Sequence, residues 1–321
     1  MSRRCSNPHC YVHEGETCAL GEMEYGLCAS WSSTKSETET DTANTHTTSA
    51  RVPWSGSALG LADLANLSPR GRTILIGVLG AHDTGKTTLL TGNYLQLLLG
   101  KPLANARFVG SRTLGAWESL AAWIRFDDAA RPPSFPPHTP RGTSRVPGLL
   151  HFALRDSEDK FRDVLLTDAP GEWFTRWAIK EDAPDAEGAR WLVRNADAFL
   201  VFADCKRIAT TNPKRGTARN ELRQLLERLG NHVANRPTAL IWAKDDIEPN
   251  PEIRTAIQQV LAKQIPHALE ISSSTNRPDS LTKALEAVLN PIWTQPQACR
   301  ILEPILNHEP FYAFRGDHAH T

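Results

Sequence analysis

Gly80, Gly85, Lys86 and Thr87 stand at the spacing G-x-x-x-x-G-K-[ST], and an apolar run over 73–80 ends where that pattern begins. These residue types at that spacing suit one chemistry, the grip on a polyphosphate. Glycines let the backbone turn tightly and aim its N–H groups inward at phosphate oxygens. A helix that starts at once adds its positive N-terminal end. Lys86 then reaches the outer phosphates and Thr87 offers a hydroxyl to Mg²⁺, while Gly80, His82, Asp83, Thr84, Gly85 and Thr88 supply the surrounding loop. An ordinary glycine turn is the plain alternative. The buried strand before the loop and the helix after it are the context that favours phosphate.

Two further stretches add to this. In "LLTDAPGEW", Asp168 ends a strand and Gly171 follows shortly after. A carboxylate there suits Mg²⁺ through its water shell, and the Gly171 N–H suits contact with a γ-phosphate; the same residues also favour a simple turn. In "LIWAKDDIEPN", Lys244 and Asp246 are spaced K-x-D just past a strand. A carboxylate at Asp246 accepts two hydrogen bonds from the ring N–H and exocyclic amine of guanine. Adenine lacks that donor pair and would leave the carboxylate unpaired. A solvated, charged loop is the alternative. Ser272 and Ser273 end the last strand, where a backbone N–H can meet the guanine carbonyl.

Such residues need a scaffold. Strand-like runs at 73–80, 148–156, 161–168, 196–205, 236–243 and 268–273 alternate with helical patterns at 86–99, 217–233, from about 251, and 278–289. This alternation predicts an α/β fold of the P-loop NTPase type. It has a mostly parallel sheet with helices on both faces and one antiparallel edge strand contributed by the hairpin 148–168. The 321 residues, 40% apolar and 22% charged, leave ample material for a core. With 36 basic and 36 acidic residues the formal charge cancels, so no overall field favours nucleic acid or an anionic membrane. No run is long and apolar enough for a membrane helix, and no apolar stretch follows the arginines at the N-terminus; the expected compartment is the cytoplasm.

The order and spacing of Gly80–Thr87, Asp168–Gly171, Lys244–Asp246 and Ser272–Ser273 resemble the GTPase motifs of the translation-factor-like (TRAFAC) class, over roughly 72–293. "DAPGE", "GSRTLGAWESLA" and the cysteine-rich start further resemble bacterial proteins described as double-GTPase domains, thought to belong to conflict or signalling systems. The resemblance implies GTP or GDP with Mg²⁺ as ligands and a switch that reports its nucleotide state to a protein partner; a non-hydrolysing nucleotide-binding scaffold and an ATP-dependent phosphotransfer enzyme are the alternative readings. It also exposes departures. Ala243 stands where such proteins carry Asn or Thr, so a brace of the base-binding loop is missing. Glu172 replaces a water-orienting Gln; a carboxylate there can act as a base, yet it repels the γ-phosphate, so slow hydrolysis is expected. The threonine that closes over Mg²⁺ is expected within the long stretch 101–147. Thr139 and Thr143 both qualify, and Thr143 lies nearer the following strand. Arg141 and Arg145 are candidates for an internal arginine that stabilises transferred charge. Trp173, Phe174 and Trp177 suit either a partner-facing surface or packing against a neighbouring helix. The charged stretch 219–228 reads as a solvated helix face.

Cys5, Cys10, Cys18 and Cys28 cluster at the N-terminus. Residues 1–30 are therefore expected to form a small module closed by Zn²⁺ on four thiolates, with His9 and His13 as substitute ligands. This module is a second candidate surface for a protein partner. Residues 31–58, rich in Ser and Thr, read as a flexible linker, 59–297 as the nucleotide-binding domain and 298–321 as a tail. Cys205 and Cys299 read as packing residues.

Overall fold

The computed structural model describes residues 4–5, 31–32, 58–64, 73–124 and 148–294. The chain divides into two units, Met1–Ser49 and Ala50–Thr321. In the first, strands β1 (Arg4–Cys5) and β2 (Trp31–Ser32) pair antiparallel. Cys10, Cys18 and Cys28, with His9 and His13, lie outside the described residues, as do Thr139, Arg141, Thr143, Arg145 and Cys299.

The second unit opens with a one-turn helix, α1 (Leu61–Leu64), and then strand β3 (Thr73–Leu79). β3 is buried along almost its whole length, and its side chains alternate. Ile74, Ile76 and Val78 enter one core, while Leu75 and Leu79 enter the other. That two-sided burial is why the run reads as continuous apolar sequence rather than as an alternating pattern. Helix α2 (Lys86–Leu98) follows, then β4 (Arg107–Gly110), α3 (Leu114–Ile124), β5 (Gly148–Arg155) and β6 (Phe161–Asp168). The chain continues through α4 (Gly171–Ile179), α5 (Glu187–Asn195), β7 (Ala198–Asp204) and α6 (Arg215–Val233). It closes with β8 (Thr238–Ala243), α7 (Pro251–Gln264), β9 (Leu269–Ser273) and α8 (Pro278–Thr294).

The sheet has seven strands in the order β4-β5-β6-β3-β7-β8-β9. The five from β6 to β9 run parallel, and β5 runs antiparallel to β6. Residues of α2, α3 and α8 share one core with one face of the sheet, and those of α4 to α7 share the other. This is the mostly parallel α/β architecture of a P-loop NTPase.

One feature of the sheet edge differs from the sequence expectation. β5 is not outermost, because β4 pairs antiparallel with it. β4 and α3 occupy 107–124, within the stretch expected to be a long first-switch loop. The signal was present but short: four residues of strand, then Trp117 and Ala121 on one helix face. "GSRTLGAW" has a structural task here. The Ser111 and Trp117 side chains donate to the His151 carbonyl at 2.6 and 2.9 Å, and Thr113 Oγ1 accepts from the His151 N–H at 2.9 Å. His151 itself is buried against Asp163, with 3.0 Å between its Nε2 and the carboxylate.

Candidate functional site

The parallel strands all end on one edge of the sheet, and their C-terminal loops converge on a cavity of about 350 Å³. The first loop joins β3 to α2. Asp83 (φ 60°) and Gly85 (φ 89°) both lie in the left-handed region, which turns successive N–H groups toward one concave side. Gly85 suits that backbone because it has no Cβ to clash. Among the described residues no side chain caps the N-terminus of α2, so its first N–H groups remain available to an anion.

His82, Asp83, Thr84, Gly85, Lys86, Thr87 and Thr88 all line the cavity. Gly80 instead lies behind it, its carbonyl accepting from Lys86 Nζ at 3.0 Å; the Ala81 carbonyl accepts from the same ammonium at 2.7 Å. Lys86 is only 8% exposed. Burial lowers its pKa to about 8, against the pull of the nearby Asp168, Glu172 and Asp83 carboxylates, which favour the charged form.

Thr87 Oγ1 donates to Asp168 Oδ1 at 3.0 Å across the gap between α2 and β6. The two oxygens expected to serve Mg²⁺ are therefore neighbours, although far apart in sequence. Gly171, the first residue of α4, presses on the phosphate loop. A Cβ there would lie 2.3 Å from the His82 nitrogen and 2.4 Å from the Ala81 carbonyl carbon, so no larger residue fits without moving backbone. Glu172 follows it on the cavity wall. Of the three aromatic residues after it, Phe174 and Trp177 are buried in the core and Trp173 packs against it. Packing, rather than an exposed partner surface, accounts for them.

On the opposite wall, Lys244 Nζ donates to the Asp83 carbonyl at 2.6 Å and to Asp204 Oδ2 at 2.8 Å. Of the adjacent carboxylates, Asp245 is taken up by Arg277 at 2.7 Å, whereas Asp246 lines the cavity. Asp246 Oδ1 accepts from Ser274 Oγ at 2.8 Å. Ser273, Ser274 and Thr275 line the cavity, but Ser272 does not. Successive side chains of β9 point to opposite sides, so Ser272 is turned away. Ser274, one step further along "SSST" and just past the end of β9, joins Ser273 on the cavity wall. Ala243 is buried and lines the cavity beside Gly85.

Cys205 is buried, its thiol pushed up to about 12 chiefly by desolvation. The α6 face carries an i,i+4 pair, Arg223–Glu227, at 2.9 Å. Among the described residues no helix is long and apolar enough to cross a membrane, and no group of three His, Cys, Asp or Glu residues forms a metal site.

A search of the curated proteins finds no match to this chain. A family model does match: Double-GTPase 2 covers residues 74–294, more than half of the 321-residue chain and the same span as the sheet and its loops. With a phosphate loop and a K-x-D loop facing one cavity, and a carboxylate paired with the phosphate loop's threonine, the chain belongs to the Double-GTPase 2 family and is a double-GTPase domain P-loop protein.

Proposed function

We propose that the chain binds GTP and GDP with Mg²⁺, hydrolyses GTP slowly, and reports its nucleotide state to a protein partner. The observation that carries this is the convergence on one cavity of Lys86 and Thr87, Gly171, and the Lys244–Asp246 loop. The cavity volume falls in the range of small-ligand sites.

In this reading the phosphate-loop N–H groups and Lys86 hold the phosphates, and Asp246 accepts from the guanine edge. The base-facing end of β9 and the loop after it contribute Ser273 and Ser274, with Ser274 steadying the Asp246 carboxylate. Thr87 Oγ1 and Asp168 Oδ1, hard oxygen donors 3.0 Å apart, fit Mg²⁺. When bound, that ion would neutralise phosphate charge. Gly171 couples to the γ-phosphate because its backbone already touches the loop beneath. Glu172 faces the cavity, where its carboxylate can accept a proton from water but also repels phosphate charge; slow turnover follows from that opposition. Thr143 remains the proposed closing threonine. It precedes Gly148, and Gly148 is the register partner of Asp168, so the chain enters the sheet at the site's own edge.

The proposed partner surfaces are the segments next to the γ-phosphate position and the cysteine-rich start, with Zn²⁺ on Cys5, Cys10, Cys18 and Cys28. A scaffold that binds nucleotide without hydrolysing it is the second reading, favoured by the carboxylate at 172. Equilibrium binding of fluorescent GTP and ATP analogues, followed by phosphate release over hours, tests the proposal. Tighter ATP than GTP binding would sink the base assignment, and no phosphate release above a Lys86→Ala control would leave the scaffold.

A further inference from the structure

We infer that Asp204, which does not line the cavity, is the positioning residue that holds Lys244 and so sets the base-binding loop in the absence of an Asn or Thr at position 243. The inference rests on the guanine-binding reading above.

Asp204 ends β7 with its side chain 2% exposed. Its two oxygens do different work. Oδ1 accepts the backbone N–H of Lys206 at 2.9 Å and of Arg207 at 3.3 Å, which fixes the carboxylate's orientation and the start of the β7–α6 loop. Oδ2 accepts from Lys244 Nζ at 2.8 Å. Lys244 in turn donates to the Asp83 carbonyl at 2.6 Å, so one ammonium ties three loops together.

The backbone explains why that tie is needed. Lys244 is a non-glycine residue with φ 59°, a conformation L side chains adopt rarely and that surroundings must enforce. Ala243, with only a methyl group, offers no side-chain hydrogen bond to help. The loop carries further anchors at Arg277–Asp245 and Ser274–Asp246, but both act beyond Lys244 in the chain. Removing the Asp204 carboxylate leaves the Lys244 ammonium with the exposed Asp83 carboxylate, 3.8 Å away, as its charged partner, and weakens the clamp on the left-handed residue.

The position of Asp246 relative to the phosphate loop then loosens, while the phosphate loop keeps its own Lys86 and α2 contacts. The two ends of the nucleotide should therefore respond differently. Charge-assisted hydrogen bonds of this kind carry about ten- to a hundredfold in affinity.

The test measures GTP and inorganic tripolyphosphate binding, both with Mg²⁺, to the full chain and to Asp204→Asn, Lys244→Ala and the double variant. Asp204→Ser is made in parallel, because a serine hydroxyl can still accept the loop N–H groups; thermal unfolding verifies that each variant is folded. The expected result is GTP binding weakened about ten- to a hundredfold in Asp204→Asn with tripolyphosphate affinity held within about twofold. Asp204→Asn should add little in the Lys244→Ala background, since both changes remove one tie. Equal losses for GTP and tripolyphosphate, or full additivity with Lys244→Ala, would overturn the inference. A parent chain that does not prefer GTP to ATP would instead overturn the guanine reading on which it rests.

Discussion

Lys86 gives a prediction with a sign and a size. In the ligand-free chain its pKa is lowered to about 8 from 10.5, with burial as the main cause. The unfolded chain therefore holds this proton more tightly than the folded one. Stability should rise with pH wherever the unfolded state binds more protons. For Lys86 that window runs from about 8 to 10.5. Below it the penalty for burying the ammonium is present in full, on the order of 3 kcal/mol; above it the penalty is gone. A bound phosphate reverses the balance by supplying the negative charge that the ammonium lacks. At pH 9 an ammonium with a pKa near 8 is only about 10% protonated, so binding should draw in about 0.9 proton per chain. At pH 7 it is already about 90% protonated and uptake falls to about 0.1. Calorimetric titration of GDP·Mg²⁺ in two buffers of different ionisation enthalpy reads the net uptake, from which the share of the guanine N1–H, itself partly ionised at pH 9, is subtracted. Chemical denaturation of the ligand-free parent and of Lys86→Met, from pH 7.5 to 10.5, reads the stability arm without nucleotide. No proton uptake at pH 9, or a stability rise that persists in Lys86→Met, would refute the lowered pKa of Lys86 and the burial penalty drawn from it.

Other perturbations probe the remaining walls. Gly171→Ala must displace α4 from the phosphate loop, because its Cβ would stand 2.3 Å from the His82 nitrogen. Overpacking of this kind is worth about 1–3 kcal/mol, and the expected readouts are a lower melting temperature and a reduced preference for a non-hydrolysable GTP analogue over GDP. Asp246→Ala should weaken GTP more than inosine triphosphate, which lacks the 2-amino donor, and the GTP-to-ITP affinity ratio should fall by about tenfold or more; an unchanged ratio would remove Asp246 from the base site. Glu172→Gln distinguishes two roles in single-turnover phosphate release: a rise marks the carboxylate as a repulsive brake, and a fall of at least about tenfold marks it as the base.

The central architecture was legible because β3, β7 and β8 are buried on both faces and read as apolar runs, and recognisable loops follow β3, β6 and β8. What escaped lies at the margins. β4 is only four residues long at the sheet edge, where one partner strand and half-exposed side chains leave a weak pattern. Ser272 and Ser273 are the serines expected from sequence because it shows where a strand ends only to within a residue or two; β9 ends at Ser273, and the chain leaving the strand there brings Ser274 to the cavity. Asp204 was hidden for another reason. It forms its tie with Lys244 through space, across two parallel strands, and no local spacing announces such a pair.

The same topology explains why the site is assembled at this edge. β3, β6, β7, β8 and β9 are parallel, so the loops after them all emerge on one side. β5 runs the other way, and for that reason it is its first residue, Gly148, that sits beside Asp168. The loops are then cross-tied rather than merely adjacent. Thr87 meets Asp168, Gly171 rests on Ala81 and His82, Lys244 links Asp83 to Asp204, and Ser274 holds Asp246. Each tie joins loops from different strands and none lies within the sheet's buried core. Cutting one should therefore change what the cavity grips while leaving the strands that carry it in place.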